Sequence, residues 1–545
     1  MKGIVMKTHW YKDAVIYQVY PRSFADGNGD GVGDIPGIIG KLDYLKDLSV
    51  DAVWLSPCYP SPNDDNGYDI SDYRGIHPEF GTLDDWKALR DGLHARGMKL
   101  IMDLVVNHTS DEHPWFVESR KGKDNPYHDY YIWRDGSNGR HEPPNGWGAC
   151  FGGSAWEWDE TFRQYFLHLY SKKQPDLNWR NPKVRQEVAD ICNYWLELGC
   201  DGFRCDVIPQ ICKTFSADGK NDKNICADGW FDYIRELGER SWNNYDTMIV
   251  GECVGVDHKM APNIHGEGTG LLDSVISFDH LPWSRNFRLP RWKEIIRRWQ
   301  TLPEHCWWSQ YWENHDQQRS VSRFVKPGFE KMGAKMLLTL EMFLRGTPYI
   351  YEGQELGMVN IKLCPDEFMD IQSVNMLRGA KNAIARFFKY RHLLMRARDH
   401  ARTPMQWDNS PNAGFTTAPT PWMKVNPNYT TVNARTEAAD PDSVLNYTKR
   451  LLRVRKGFVE LLKHSQYTDL APDSRRFYAY RQTVPDDKSL VVIALFGKTA
   501  KHFSLPEVLR GHQSRLVVSN NLNAPERLSD GRFLPYEVRV YELGR

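Results

Sequence analysis

The 545-residue chain predicts an α/β protein: a (β/α)8 barrel with a small domain inserted after the third strand and a C-terminal antiparallel β domain. Three observations carry this expectation. Eight short apolar runs alternate with longer amphipathic segments, the order that closes a TIM-type barrel. A long gap dense in His, Gly, Asn, Trp and Tyr follows the third run, and a stretch of that length reads as an inserted domain, not a bare loop. Beyond about His464 the pattern changes to short strands separated by turn residues.

In chain order, strands are expected at Ala14–Val19, Ala52–Ser56, Leu100–Val106, Gly202–Val207, Met248–Glu252, Ser274–Phe278, Ser309–Trp312 and Pro348–Tyr351. Helical periodicity marks Leu83–Arg96, Pro182–Leu198 and Phe231–Arg240. The gap from His108 to Asn178 opens on the side of the barrel where active-site loops sit. A second insertion, largely helical, is expected over Leu363–Trp407, and a helix over Asp442–Lys456 closes the barrel. Phe477–Arg481, Ser489–Phe496, Ser514–Ser519 and Glu537–Tyr541 make the C-terminal domain, which carries no catalytic cluster and reads as structural. The expected limits are 1–108 and 179–465 for the barrel, 109–178 for the inserted domain and 466–545 for the β domain.

Bulk properties exclude several function classes. Lys+Arg and Asp+Glu both number 70, so the overall charge favours neither nucleic acid nor an anionic membrane. No run of about 18 apolar residues could span a bilayer. The N-terminus lacks the apolar core of a signal peptide. Ten cysteines lie between Cys58 and Cys364 with no metal-type Cys-x-x-Cys, which reads as reduced thiols in a cytoplasmic protein. Cys205 and Cys253 read as small packing residues. The 20 Trp and 26 Tyr suit sugar C–H faces, although large cores also hold many aromatics.

Asp206, Glu252 and Asp316 each sit just past a strand-like run. Any one of them alone is an ordinary surface acid. At the C-terminal ends of parallel barrel strands they converge in one cleft, and convergent carboxylates are what glycosidic bond cleavage needs. Arg204 lies two residues before Asp206 on the same strand face, where it can keep that carboxylate ionised.

Four ordered segments, Asp103-Leu104-Val105-Val106-Asn107-His108, Gly202-Phe203-Arg204-Cys205-Asp206, Glu252 and Asn314-His315-Asp316, resemble the motifs of the α-amylase superfamily, glycoside hydrolase family 13. The resemblance spans nearly the whole chain. It implies a retaining double displacement with Asp206 as nucleophile, Glu252 as acid and base, and Asp316 bracing the oxocarbenium-like transition state. It also implies that His108 and His315 donate hydrogen bonds to the reacting glucose. Glu252 must then begin protonated near neutral pH.

Gln174-Pro175-Asp176-Leu177-Asn178 resembles a signature of the oligo-1,6-glucosidase and α-glucosidase subfamily. So do Asp65-Asn66-Gly67-Tyr68-Asp69-Ile70, the segment from Phe151 to Glu157, and Ala401-Arg402-Thr403-Pro404-Met405-Gln406-Trp407-Asp408. By that resemblance Asp65 and Arg402 clamp the hydroxyls of a terminal glucose, Tyr68 stacks on it, and Phe151, Tyr170 and Gln174 line the pocket. A closed pocket implies exo action on short substrates. The competing reading of Asp65 is a turn residue, and of Tyr68 and Phe151 core packing. Val207 accompanies α-1,6 cleavage in this subfamily, where smaller or polar residues accompany α-1,4 preference; its plain reading is a β-branched strand residue. Glu313 and Gln318 depart from the Asn and Pro usual around Asn-His-Asp-Gln, which puts acceptor preference in question.

Asp26-Gly27-Asn28-Gly29-Asp30-Gly31-Val32-Gly33-Asp34 follows the start of an EF-hand loop, with Gly at position six and no Glu at position twelve. Asp26, Asn28, Asp30, Asp34 and the Val32 carbonyl form a ligand set for structural Ca²⁺, with Mg²⁺ as the alternative; an Asp/Gly turn holding water is the plain reading. Subfamily members carry a similar loop with calcium. No organic cofactor is expected.

The leading expectation is an exo-acting α-glucosidase that hydrolyses α-1,6 linkages of isomalto-oligosaccharides, with some transglycosylation. The alternatives are an α-1,4-preferring maltase, or an intramolecular transglucosylase of the sucrose isomerase or trehalose synthase kind, though no Arg-Leu-Asp-Arg-Asp-type loop is present. A non-catalytic, transporter-associated relative would need a membrane span or lost carboxylates. The partner expected is a small oligosaccharide, and the chain is expected as a monomer or weak homo-oligomer.

Overall fold

The computed structural model describes residues 7–138, 142–216, 222–267, 269–281, 287–485 and 488–544. Eight parallel strands form one sheet: β1 (Ile16–Val19), β2 (Ala52–Leu55), β3 (Lys99–Leu104), β4 (Gly202–Cys205), β5 (Met248–Glu252), β6 (Ser274–Ile276), β7 (Ser309–Gln310) and β8 (Thr347–Tyr351). Each pairs with its sequence neighbour, β1 pairs with β8, and the bridge Val275↔Trp308 joins β6 to β7. The sheet is thereby closed into a (β/α)8 barrel, as the alternating pattern predicts.

The strands are shorter than the apolar runs because the runs continue into buried loop segments at their C-terminal ends. Val105 and Val106 are buried but unpaired after β3, and Tyr311 and Trp312 likewise after β7. Gly202 opens β4 for a steric reason: a Cβ there would lie 2.1 Å from the Met248 carbonyl oxygen on β5.

Local chemistry starts the helices where the sequence predicts. Thr82 and Asp85 form a capping box at the head of Leu83–Ala95. Asn181 caps Pro182–Glu197, with Pro182 in the first turn, where its missing N–H costs nothing. Ser443 caps Val444–Lys456, whose apolar face is buried on the barrel. Leu363–Trp407 contains two helices, Ile371–Arg378 and Ala383–Arg396.

The segment after β3 holds a three-stranded antiparallel sheet, Trp133–Arg134, Trp156–Asp159 and Gln164–Leu167. The C-terminal region forms a five-stranded antiparallel sheet in the order Gln466–Asp469, Phe477–Thr483, Ser489–Leu495, Val538–Leu543, Ser514–Ser519. Its central strand Ser489–Leu495 is buried throughout. Leu490, Val492 and Ala494 join the barrel-side core, while Val491, Ile493 and Leu495 pack with Phe503 and Phe533. That second layer is a pair of short strands, Lys501–Phe503 and Gly531–Phe533, which the sequence reading omits because each offers few apolar positions.

Candidate active site

The three carboxylates come from three separate strand ends. Asp206 follows the last residue of β4, Glu252 is the last residue of β5, and Asp316 lies on the loop after β7. Arg204, on β4 and almost fully buried, binds Asp206 Oδ1 through Nη1 at 2.6 Å and Glu252 Oε2 through Nη2 at 2.6 Å. Its Nη1 also reaches Asp103 Oδ1 at 2.7 Å. One guanidinium thus faces three buried carboxyls and cannot neutralise them all, so this cluster holds a proton.

Burial pushes Asp206 and Glu252 each up to about 7, while Arg204 pulls both down. A hydrogen bond from Glu252 further lowers Asp206. The proton therefore belongs on Glu252, and Asp206 is the ionised partner. Burial also acts on Asp316, but His315, Arg398 and Arg402 hold it well below the usual carboxylate range. Burial lowers His108 to about 4, so that imidazole is neutral at pH 7; burial also lowers His315, with Asp316 beside it pulling the other way.

The turn after the nucleophile is strained. Val207 has φ 36° and ψ 38°, a left-handed conformation that β-branched residues avoid, and its N–H donates to Glu252 Oε2 at 3.2 Å.

Above the carboxylates lies a cavity of about 210 Å³, below the 300–1,000 Å³ usual for larger ligands and on the scale of one sugar ring. Asp206, Val207, Glu252 and Asp316 line it together with Asp65, Tyr68, His108 and His315, and Phe151 and Tyr170 of the inserted segment complete the lining with Arg398. The Phe151 and Tyr170 rings meet edge to face at 5.8 Å. Tyr68 stacks on His315 with ring centroids 5.1 Å apart.

Several residues stand elsewhere than expected. Arg402 is buried behind Asp316, binding its Oδ1 at 3.1 Å, Asp370 Oδ2 at 2.9 Å and the His315 carbonyl. It does not line the cavity. Arg398 does, and it spans Asp65 Oδ1 and Asp316 Oδ1, each at 3.0 Å, with Asp370 Oδ2 at 2.7 Å. The guanidinium beside Asp65 is therefore that of Arg398, one helical turn before Arg402; the motif matched above begins at Ala401, just past it. Gln174 lies behind the wall, donating to Asp65 Oδ2 and the Tyr68 carbonyl at 3.2 Å each. Glu313 is buried against Arg319 at 3.2 Å and does not face the acceptor side, while Gln318 accepts from Asn360.

In the N-terminal loop, Asp26 accepts from the N–H groups of Asn28, Gly29 and Gly31 and from Thr416. Asn28 accepts from Asp30 N and Asp30 from Val32 N, while Asp34 Oδ1 accepts from Gly27 N and Gly37 N. Asp34 Oδ2 is buried without a partner. Among the described residues no three His, Cys, Asp or Glu side chains converge as a metal cluster. The ligand set expected here also draws on the Asn28 amide and the Val32 carbonyl, oxygen donors of the kind hard cations take. All ten cysteines are free, and burial raises the thiols of Cys205 and Cys253.

The model of the alpha amylase catalytic domain matches residues 18–464. The chain belongs to the α-amylase family. Within this family it is 45% identical to an oligo-1,6-glucosidase of Parageobacillus thermoglucosidasius, over 99% of this chain and 100% of that one. Among solved structures of the family, a trehalose-6-phosphate hydrolase of Bacillus licheniformis superposes with a TM-score of 0.92 at 40% identity, covering 98% of this chain and 100% of the other. A trehalulose synthase of Pseudomonas mesoacidophila superposes with a TM-score of 0.92 at 37% identity, covering 99% and 100%. The α-amylase-family chain described here is a glycosidase by this membership and by its carboxylate site.

Proposed function

We propose that the chain is a retaining, exo-acting α-glucosidase that releases glucose from the non-reducing end of short α-1,6-linked substrates. The observation that carries the retaining step is the arrangement of Asp206 and Glu252: one guanidinium, that of Arg204, binds Asp206 Oδ1 through Nη1 and Glu252 Oε2 through Nη2, each at 2.6 Å. Inverting enzymes hold their carboxyls about 6.5–9.5 Å apart to admit a water, and retaining ones about 5–5.5 Å. Two carboxyls held by the two nitrogens of one guanidinium stand too close for the wider, inverting gap and belong with the second class.

In this reading Asp206 attacks the anomeric carbon and Glu252 protonates the departing oxygen. Glu252, now ionised, takes a proton from water as it opens the glycosyl-enzyme. Asp316, kept ionised by His315 and two arginines, stabilises the positive charge developing on the ring. A sugar acceptor in place of that water gives transglycosylation. The small cavity, with the Asp65–Arg398 pair in its lining, favours terminal residues over internal ones. The α-1,6 preference rests on Val207 in the cavity and on the similarity to an oligo-1,6-glucosidase.

Proton NMR of the first-released sugar tests the mechanism: α-glucose is expected, and β-glucose overturns it. Rates on isomaltose, maltose, sucrose and panose test the linkage. The similarity to a trehalulose synthase supports a second reading, intramolecular transfer on sucrose; a dominant isomeric disaccharide with little free glucose would establish it.

The loop from Asp26 to Asp34 is proposed to hold structural Ca²⁺, with Mg²⁺ as the alternative; Asp26, Asn28, Asp30, Asp34 and the Val32 carbonyl would bind it. The unpartnered Asp34 Oδ2 supports this. Ten unpaired cysteines support a cytoplasmic location. No helix of the described residues is long and apolar enough to cross a membrane.

A further inference from the structure

The neutrality of the whole chain conceals a segregated segment. Between Ile371 and Arg396 stand six Lys or Arg residues and no Asp or Glu. The same stretch holds four of the ten large apolar side chains exposed among the described residues: Ile384, Phe387, Phe388 and Met395. On the helix Ala383–Arg396, Ile384, Phe387 and Phe388 are 70%, 56% and 63% exposed. With Arg391 and Met395 they follow helical spacing along one outward stripe. Arg378, Lys381 and Arg386 are exposed beside it.

This stripe is not the face that holds the helix in place. Tyr390 donates to the Leu363 carbonyl at 2.9 Å, and Leu393 is buried with Leu363, Phe368 and Leu377. The inner face already supplies the packing, so the outer one is surplus to folding. Isolated exposed apolar residues need no explanation, but a contiguous stripe rimmed by one sign of charge does.

We propose that this helix docks on an anionic lipid surface. A basic helix carrying Phe, Ile and Met on one side is the composition of an interfacial helix: the apolar stripe enters the acyl boundary while the cations meet the headgroup phosphates. A second copy of the chain is a poor occupant, because a two-fold contact sets the exposed cations Arg378, Lys381, Arg386 and Arg391 against the same four. A protein groove would need anions and apolar pockets in register with each side chain, whereas the bilayer boundary offers both everywhere along its plane. Arg398 and Gln372, at the ends of this segment, line the catalytic cavity, so docking would place the substrate mouth beside the membrane.

Vesicle co-sedimentation of the full chain tests this, comparing phosphatidylcholine alone with phosphatidylcholine mixed with phosphatidylglycerol. Binding is expected only to the anionic vesicles, and it should weaken in 1 M salt, where the screening length falls to about 3 Å. Phe387→Ser with Phe388→Ser should lose at least about tenfold in vesicle affinity. Arg386→Glu with Arg391→Glu should do the same. Both variants should keep the wild-type rate on a soluble glucoside, which shows that they fold. Failure of the wild type to bind anionic vesicles at low salt overturns the proposal. So does binding unchanged in both variants, or a dimer in sedimentation that the Phe variant dissolves while vesicle binding is absent.

Discussion

The backbone N–H of Val207 donates to Glu252 Oε2 across 3.2 Å, and Val207 adopts a left-handed conformation to do so. One residue thereby links the nucleophile, the acid and the cavity wall. The strained turn costs on the order of 1–3 kcal/mol, which the surrounding buried contacts offset. Val207→Thr keeps the shape and the branching but puts a hydroxyl in the cavity. The expected outcome is a shift of about tenfold in the isomaltose-to-maltose ratio of kcat/KM toward maltose. An unchanged ratio would remove Val207 as a determinant of linkage.

The acid limb and the basic limb of the activity profile should have different owners. Asp206 must be ionised to attack, so activity falls as pH drops through its value. Glu252 must be protonated to donate, so activity falls as pH rises above about 7. Glu252→Gln should lower kcat on isomaltose by about 10²–10⁴ and abolish the basic limb. Aryl glucosides with good leaving groups should lose far less in their first step, since they need little protonation. A basic limb that persists in this variant would mean the titrating group lies elsewhere.

Asp206→Ala should remove nearly all turnover while leaving thermal unfolding close to wild type, because Arg204 keeps Asp103 and Glu252 as partners. Near-normal hydrolysis by this variant is the result that would sink the site assignment.

Among the described residues, Arg398 is the only guanidinium that both lines the cavity and touches Asp65, Asp316 and Asp370. Removing it leaves buried carboxylates short of a partner, a loss of about 3–5 kcal/mol in similar buried pairs. Arg398→Ala should therefore cost at least about 100-fold in kcat/KM. Arg398→Lys should not restore it, because a point charge cannot serve three carboxylates as a planar fork does. Recovery by lysine would show that charge alone suffices.

Calcium at about a hundred times its dissociation constant should stabilise the fold by roughly 2.7 kcal/mol. Melting in Ca²⁺, Mg²⁺ and chelator compares the three states directly. Asp34→Asn should abolish the response while leaving the catalytic rate unchanged at low temperature. Identical melting in all three solutions would leave the loop as a hydrogen-bonded turn.

Most of the barrel was legible because its signals are local. Apolar runs, caps such as Thr82 and Asn181, and Gly202 act over a few residues, so they read directly from sequence. Strand ends were overextended because burial continues past pairing, as at Val105 and Trp312. The short pair Lys501–Phe503 and Gly531–Phe533 escaped because its partners are almost 30 residues apart and each carries little apolar pattern. The helical character of Leu363–Trp407 is legible in the sequence, whereas the outward face of Ala383–Arg396 is set by the packing of Leu393 against Leu363, Phe368 and Leu377.

What the sequence by itself determined is the reaction: Asp206, Glu252 and Asp316, each at the end of its own strand run, specify carboxylate chemistry on a glucoside. What only the tertiary structure decided is which neighbours tune them. Arg398 rather than Arg402 faces the cavity, Arg204 serves three carboxyls at once, Glu313 turns inward to Arg319, and Val207 twists to meet Glu252. The reason is physical. A strand end is a one-dimensional fact, whereas the partner of a buried charge is whichever side chain the closed barrel brings within hydrogen-bond reach, from as far as 333 residues away in the pairing of Arg398 with Asp65.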